Sequence, residues 1–149
     1  MTDTWRGRVA LRFRDLDAFG HLYHAEYLTL LDELRTDWLG RALRIAEPQS
    51  YVVARVEIDY VSSVTGDDTE VSAEFSVERA GTTSLTLREV LLAGDREVAR
   101  TRVVVVLRDP ATGTPRPLTA QEREVCAAHR TGGRQAVGGS DRMSSHPLD

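Results

Sequence analysis

Residues 15–27 read DLDAFGHLYHAEY, with two aspartates, two histidines, two tyrosines and one glycine in thirteen positions. An ionised aspartate can attack an electrophilic carbon or take a proton from water. A histidine can orient water or protonate a leaving group near neutral pH. A glycine permits a tight turn and a close approach of backbone to ligand. The stretch joins a strand-like run to a helix-like run, so its last residues stand at a helix start. There the first N–H groups lack internal acceptors and can receive developing negative charge. Asp17 and His24 are therefore the candidate catalytic residues, and Phe19, Gly20, Tyr23 and Tyr27 the candidate substrate-binding residues.

The same residue types also build turns and caps, and D-x-D before a helix is a common form of both. On motif chemistry alone that reading of Asp17 stays open. Asp15 reads as a turn residue, and His21 as a structural or rim residue. His24 can act through its side chain or contribute only its amide. Tyr23 and Tyr27 fit either a substrate wall or an aromatic core. Asp17, His21 and His24 are spaced so that they could hold a metal ion, but no further ligand accompanies them, and no metal is expected. No cofactor is expected either. All 19 basic residues are arginine, so no Schiff-base or phosphate-loop lysine exists in this chain. Cys126 is the single cysteine and has no base nearby in sequence; it reads as inert.

The elements that must position the cluster follow from periodicity. Residues 5–15 alternate, with Val9, Leu11 and Phe13 on one side and Arg8, Arg12 and Arg14 on the other, which predicts a half-buried strand. Over 24–42 the period changes: Tyr27, Leu31, Leu34 and Trp38 follow helical spacing, widened by Leu28, Leu30 and Leu39. About four strands follow, from Ala54–Tyr60 to a VVVV run at 103–106 that is apolar on both faces, joined by short glycine-containing turns that imply antiparallel hairpins. A turn-rich exit leads into a short helix near 120–125. One long helix must bury its stripe on the sheet, which leaves the other sheet face to be covered and argues for a dimer at least.

A chain of 149 residues suggests one domain, over 1–128. The last 21 residues, 129–149, hold almost no large apolar side chains and read as a disordered tail. A net charge of −4 argues against general attraction to nucleic acid or membrane surfaces. No apolar run approaches the ~20 residues of a membrane span, and the N-terminus has no apolar signal core, so the expected location is the cytoplasm.

Three stretches, RFRDLDAFGHLYHAEYLTLLDELR, RVEIDYVSSVTGDD and RDPATGTPRPLT, resemble the hotdog-fold thioesterases, in the branch of 4-hydroxybenzoyl-CoA thioesterase and YbgC-like proteins. The family's opening motif reads here as Asp15, Asp17, Gly20, Tyr23, His24 and Tyr27, followed by Asp32, Glu33 and Arg35 on the helix. The resemblance implies an α+β hotdog fold, one long helix wrapped by an antiparallel five-stranded sheet. It implies hydrolysis of an acyl-CoA or acyl-carrier-protein thioester, with Asp17 as nucleophile or general base and the His24 N–H polarising the carbonyl. It also implies a homodimer or homotetramer with sites between subunits. The chain departs from the family pattern at Phe13, where a tyrosine is usual, and at Ser63, where a proline is common. Other uses of such a fold are a hydratase or dehydratase, and a non-catalytic acyl-CoA-binding module.

Overall fold

The computed structural model describes residues 5–131. Their order is β1 (Trp5–Ala10), α1 (His24–Ala42), β2 (Tyr51–Tyr60), β3 (Glu70–Ala80), β4 (Ser84–Ala93), β5 (Arg96–Leu107) and α2 (Ala120–Ala128). The five strands form one sheet in the order β1-β3-β4-β5-β2, and every neighbouring pair is antiparallel. The fold is the expected α+β hotdog: the sheet curls around α1.

The leucine stripe accounts for α1. Leu30, Leu31, Leu34, Trp38 and Leu39 are buried against Val71, Ala73 and Phe75 of β3, Leu85, Leu87 and Leu91 of β4, and Val103 and Val105 of β5. Trp38 stacks on Phe75 at 6.1 Å between ring centroids, and Trp5 meets Phe75 edge-on at 5.4 Å. Gly7 lets β1 approach this layer, because a Cβ there would fall 2.4 Å from the Trp5 ring and 3.1 Å from Leu34. The helix ends at Leu43 and Arg44. Arg44 takes a left-handed φ of 58°, and the N–H groups of Leu43 and Ile45 both reach the Leu39 carbonyl.

Two expectations need correction. The alternation of residues 5–15 predicts one strand, but β1 stops at Ala10 and Phe13–Asp15 form a 3-10 turn. The cause is Asp15, whose buried carboxylate accepts the Arg12 backbone N–H at 2.9 Å and the Arg12 guanidinium at 3.1 Å. In β2 a bulge between Val53 and Arg55 sets Ala54 out of the alternation, and Val56, Ile58 and Tyr60 then share the concave face. The tail expected over 129–149 lies outside the described residues from 132 onward. Within the described part, Val77 donates to the His129 carbonyl and Thr131 donates to the Val77 carbonyl, beside the free edge of β3.

Of the helix residues Asp32, Glu33 and Arg35, Glu33 forms no ion pair with Arg35. Glu33 is exposed, while Arg35 is only 2% exposed and pairs with Glu89 of β4 and with Asp32. On the convex sheet face Arg88 and Arg102 both hold Glu78, and Arg100 holds Glu97. Their hydrogen bonds hold the Glu78 carboxyl below its ordinary range. All three arginines thus have carboxylate partners. Cys126 is buried, and burial pushes its thiol up to about 11.

Candidate active site

The turn that carries Asp17 is a small hairpin of its own. Leu16 pairs with Leu22, Asp17 N–H donates to the His21 carbonyl at 2.7 Å, and Gly20 N–H donates to the Asp17 carbonyl at 3.0 Å. Gly20 sits at φ 76°, where side chains are disfavoured, and a Cβ there would meet nothing within 4 Å. The glycine therefore serves the backbone angle rather than a close approach. The hairpin is fastened to the loop after β2: Leu22 N–H donates to the Val64 carbonyl at 2.8 Å, and His21 pairs with Thr65.

One oxygen of Asp17 belongs to this turn. Its Oδ1 accepts the N–H groups of Phe19 at 2.8 Å and of His21 at 3.1 Å. Its other oxygen, Oδ2, receives no hydrogen bond among the described residues, and the side chain lines a cleft of about 400 Å³. Asp15 behaves as the turn residue expected. It is buried, its own carbonyl accepts the Tyr23 N–H, and the Arg12 bonds hold its carboxyl below the ordinary range although burial alone pushes it upward.

Helix α1 starts at His24 without a side-chain cap. Tyr23 stands at the cap position, Tyr23 N–H is spent on Asp15, and Glu26 N–H reaches back to the Tyr23 carbonyl at 2.8 Å. The N–H groups of His24 and Ala25 have no helical acceptor available to them. The His24 side chain is exposed and faces the same cleft as Asp17.

Of the residues singled out in the sequence, the cleft brings together Asp17, His24 and Tyr27, and it adds His21. Phe19, Gly20 and Tyr23 do not line it. Phe19 is 85% exposed at the tip of the turn, and Tyr23 lies against the His24 ring at 4.5 Å. Tyr27 is buried in the core, its hydroxyl accepts the Val64 N–H at 3.3 Å, and it borders the cleft as well.

The opposite wall is Tyr60, Val61, Ser62 and Ser63, none of which the sequence marked as site residues. Tyr60 donates its hydroxyl to the His24 carbonyl at 3.0 Å and meets the Tyr27 ring edge-on at 5.1 Å. The alternation Val56-Ile58-Tyr60 was the available signal, since it aims Tyr60 at the helix side of the sheet. Clefts of similar size lie beside Arg6 and Arg8 on the convex face and between α2 and β3, so size does not single out the site. What does is a carboxylate beside a helix start whose amides are free. Among the described residues no group of three or more His, Cys, Asp or Glu could hold a metal ion.

The thioesterase superfamily model matches residues 19–105. Acyl-CoA thioester hydrolases named YbgC from Escherichia coli O157:H7 and from Shigella flexneri are each 28% identical over 123 residues, which are 78% of this chain and 91% of theirs. A solved thioesterase from Thermus thermophilus, complexed with coenzyme A and Zn, superposes with a TM-score of 0.75 at 32% identity, covering 87% of this chain and 95% of that one. With the family model spanning more than half of its length on the hotdog fold, the chain belongs to the thioesterase superfamily, in its YbgC-like branch.

Proposed function

We propose that the protein hydrolyses acyl-CoA thioesters to a free acid and coenzyme A, with Asp17 at the reacting carbon and the N–H of His24 on the carbonyl oxygen. The observation that carries this reading is that one cleft is lined both by Asp17, whose Oδ2 receives no hydrogen bond among the described residues, and by His24, the uncapped first residue of α1. The relatives named for acyl-CoA thioester hydrolysis support the substrate class.

The chemistry follows from what each group offers. Two turn amides hold Oδ1 of Asp17 and leave Oδ2 for the reaction. It either takes a proton from a water that attacks the thioester carbon, or attacks that carbon itself to give a mixed anhydride that water then opens. In both routes negative charge builds on the carbonyl oxygen. The helix-start amides meet it with no reorganisation, and one such donor is worth about 3 kcal/mol of barrier. The carbon–sulfur bond then breaks and the electron pair leaves with sulfur. A thiolate is a good leaving group, so it departs as the anion or takes a proton from His24, His21 or solvent. A carrier-protein thioester presents the same acyl–sulfur linkage, and the same steps apply to it.

The assembly reading is a homodimer, or a homotetramer built from it, joined at β2. Among the described residues that strand ends the sheet and pairs only with β5. Val52, Val56, Tyr60 and Val61, along or beside it, are large apolar side chains left exposed, as is Phe19 at the tip of the site turn. An exposed apolar edge strand is a template for pairing with another chain.

The test is thiol release from short, long, branched and aromatic acyl-CoAs by the wild type and by Asp17→Asn. Asparagine keeps an Oδ1 acceptor for Phe19 and His21 and removes only the charge, so the turn survives. Turnover should fall by about 1,000-fold or more while unfolding stability moves by less than about 0.5 kcal/mol. Full activity in Asp17→Asn would refute the role of Asp17. Absence of thiol release from every ester by the wild type would refute the acyl-CoA reading.

A further inference from the structure

We propose that Tyr60 is a positioning residue that makes the Ala25 N–H a second donor to the substrate carbonyl. The inference rests on the site reading above, and it concerns one peptide unit. The carbonyl of His24 and the N–H of Ala25 are the two ends of a single rigid plane. Tyr60 donates to that carbonyl at 3.0 Å. The Ala25 N–H, at the other end, is one of the first amides of α1 and has no internal acceptor.

A hydrogen bond received at the oxygen of an amide draws electron density from its nitrogen. The N–H becomes a stronger donor, as in any chain of hydrogen bonds, and its direction is fixed by the same contact. Tyr60 is itself held in place. Its ring packs edge-on against Tyr27, and the Tyr27 hydroxyl is anchored by the Val64 N–H. Burial, reinforced by Tyr27, keeps the Tyr60 phenol above its ordinary range, so it remains a proton donor at neutral pH. Tyr60, Asp17 and His24, the residue that supplies the carbonyl of this peptide, border the same cleft.

A second tyrosine supplies the control. Tyr51, at the other end of β2, also ties that strand to α1, but through the Thr36 hydroxyl at 2.8 Å. That contact joins two side chains more than two turns from the helix start and touches no free amide. If Tyr60 were merely a tether between strand and helix, the two tyrosines would be equivalent.

The experiment compares Tyr60→Phe with Tyr51→Phe in two measurements. The first is steady-state hydrolysis of an acyl-CoA that the wild type turns over. The second is the infrared carbonyl band of a 13C-carbonyl acyl-CoA bound to Asp17→Asn, with and without each tyrosine change. Tyr60 is 48% exposed and phenylalanine retains its edge contact, so the variant keeps the fold, which a melting curve checks. The expected result is that Tyr60→Phe lowers kcat about 10-fold with KM within about 2-fold, as for a contact used mainly in the transition state. The bound carbonyl band then moves to higher wavenumber, and Tyr51→Phe changes neither reading. An unchanged kcat and band in Tyr60→Phe would overturn the proposal while leaving the thioesterase reading intact. Equal losses in both variants would reduce Tyr60 to a tether and overturn it too. A wild type without turnover would remove both readings together.

Discussion

Glu89→Gln is an isosteric change at a buried ion pair. Glu89 lies on β4 facing α1 and accepts three hydrogen bonds, from Arg35 Nε at 2.6 Å, from Arg35 Nη2 at 2.7 Å and from Thr101 Oγ1 at 2.7 Å. Both members of the ion pair are buried, and Asp32, at the surface end, gives Arg35 a second carboxylate. Burial works against the Arg35 charge, yet the hydrogen bonds and charge of Glu89 outweigh it and raise the guanidinium above its ordinary range.

Glutamine keeps the volume but cancels the charge, and its NH2 group is a donor facing donors. Two unit charges about 4 Å apart interact by about 4 kcal/mol at an effective dielectric of 20. Breaking a buried pair typically costs about 3–5 kcal/mol. We expect Glu89→Gln to lose about 4 kcal/mol of unfolding free energy, a fall in Tm of about 12 °C for a chain of this size. Removing both charges, as Arg35→Leu with Glu89→Leu, should recover at least half of that, because no buried charge is left alone. Urea unfolding followed by tryptophan fluorescence reads both, since Trp38 lies in the same core. A loss below about 1 kcal/mol in the single variant, or a double variant as unstable as the sum of its singles, would refute the reasoning.

Acid should unfold the protein below the ordinary carboxylate range, at pH below about 4. Asp15, Glu78 and Glu122 are held below their usual values in the fold, so each adds stability that is present above the unfolded value and is lost as pH falls through the folded one. Arg116→Gln removes the two 2.8 Å bonds that are the main cause for Glu122 and should move the acid midpoint upward in a circular-dichroism titration; an unmoved midpoint contradicts the assignment. At the β2 edge, Val56→Arg should shift sedimentation from a dimer toward a monomer, and a wild type that sediments as a monomer at micromolar concentration refutes β2 pairing.

The fold was legible where one signal ran without competition. The leucine spacing of 24–42 matches the bounds of α1, and the glycine turns mark the β3–β4 and β4–β5 hairpins. It was misread where a side chain overrode the pattern. The alternation runs on through Leu11 and Phe13, but the Asp15 carboxylate captures the Arg12 amide and bends the chain away from the sheet. The Arg35–Glu89 pair spans 54 residues, and no local pattern joins its members. It did leave a trace in β4, where Leu85, Leu87, Glu89 and Leu91 share a phase and the glutamate stands in an apolar row. A charge in such a row requires a buried partner.

The candidate site was legible on one wall only. Asp17 and His24 belong to a compact stretch, whereas Tyr60, Val61, Ser62 and Ser63 reach the cleft from the far end of β2, and the alternation that aims Tyr60 at the helix side does not tell which end of the helix it meets. The residue hardest to classify from sequence was Asp17, because turn chemistry and thioester chemistry ask for the same side chain. The geometry accommodates both demands on one carboxylate. Oδ1 closes the turn on Phe19 and His21, and this fixes where Oδ2 points. A turn role for Asp17 therefore does not exclude the reacting role proposed for it. A residue that must hold its own loop still while presenting one free oxygen to a cleft has to satisfy the turn rules first, so on a loop this short the turn signature accompanies the chemistry rather than counting against it.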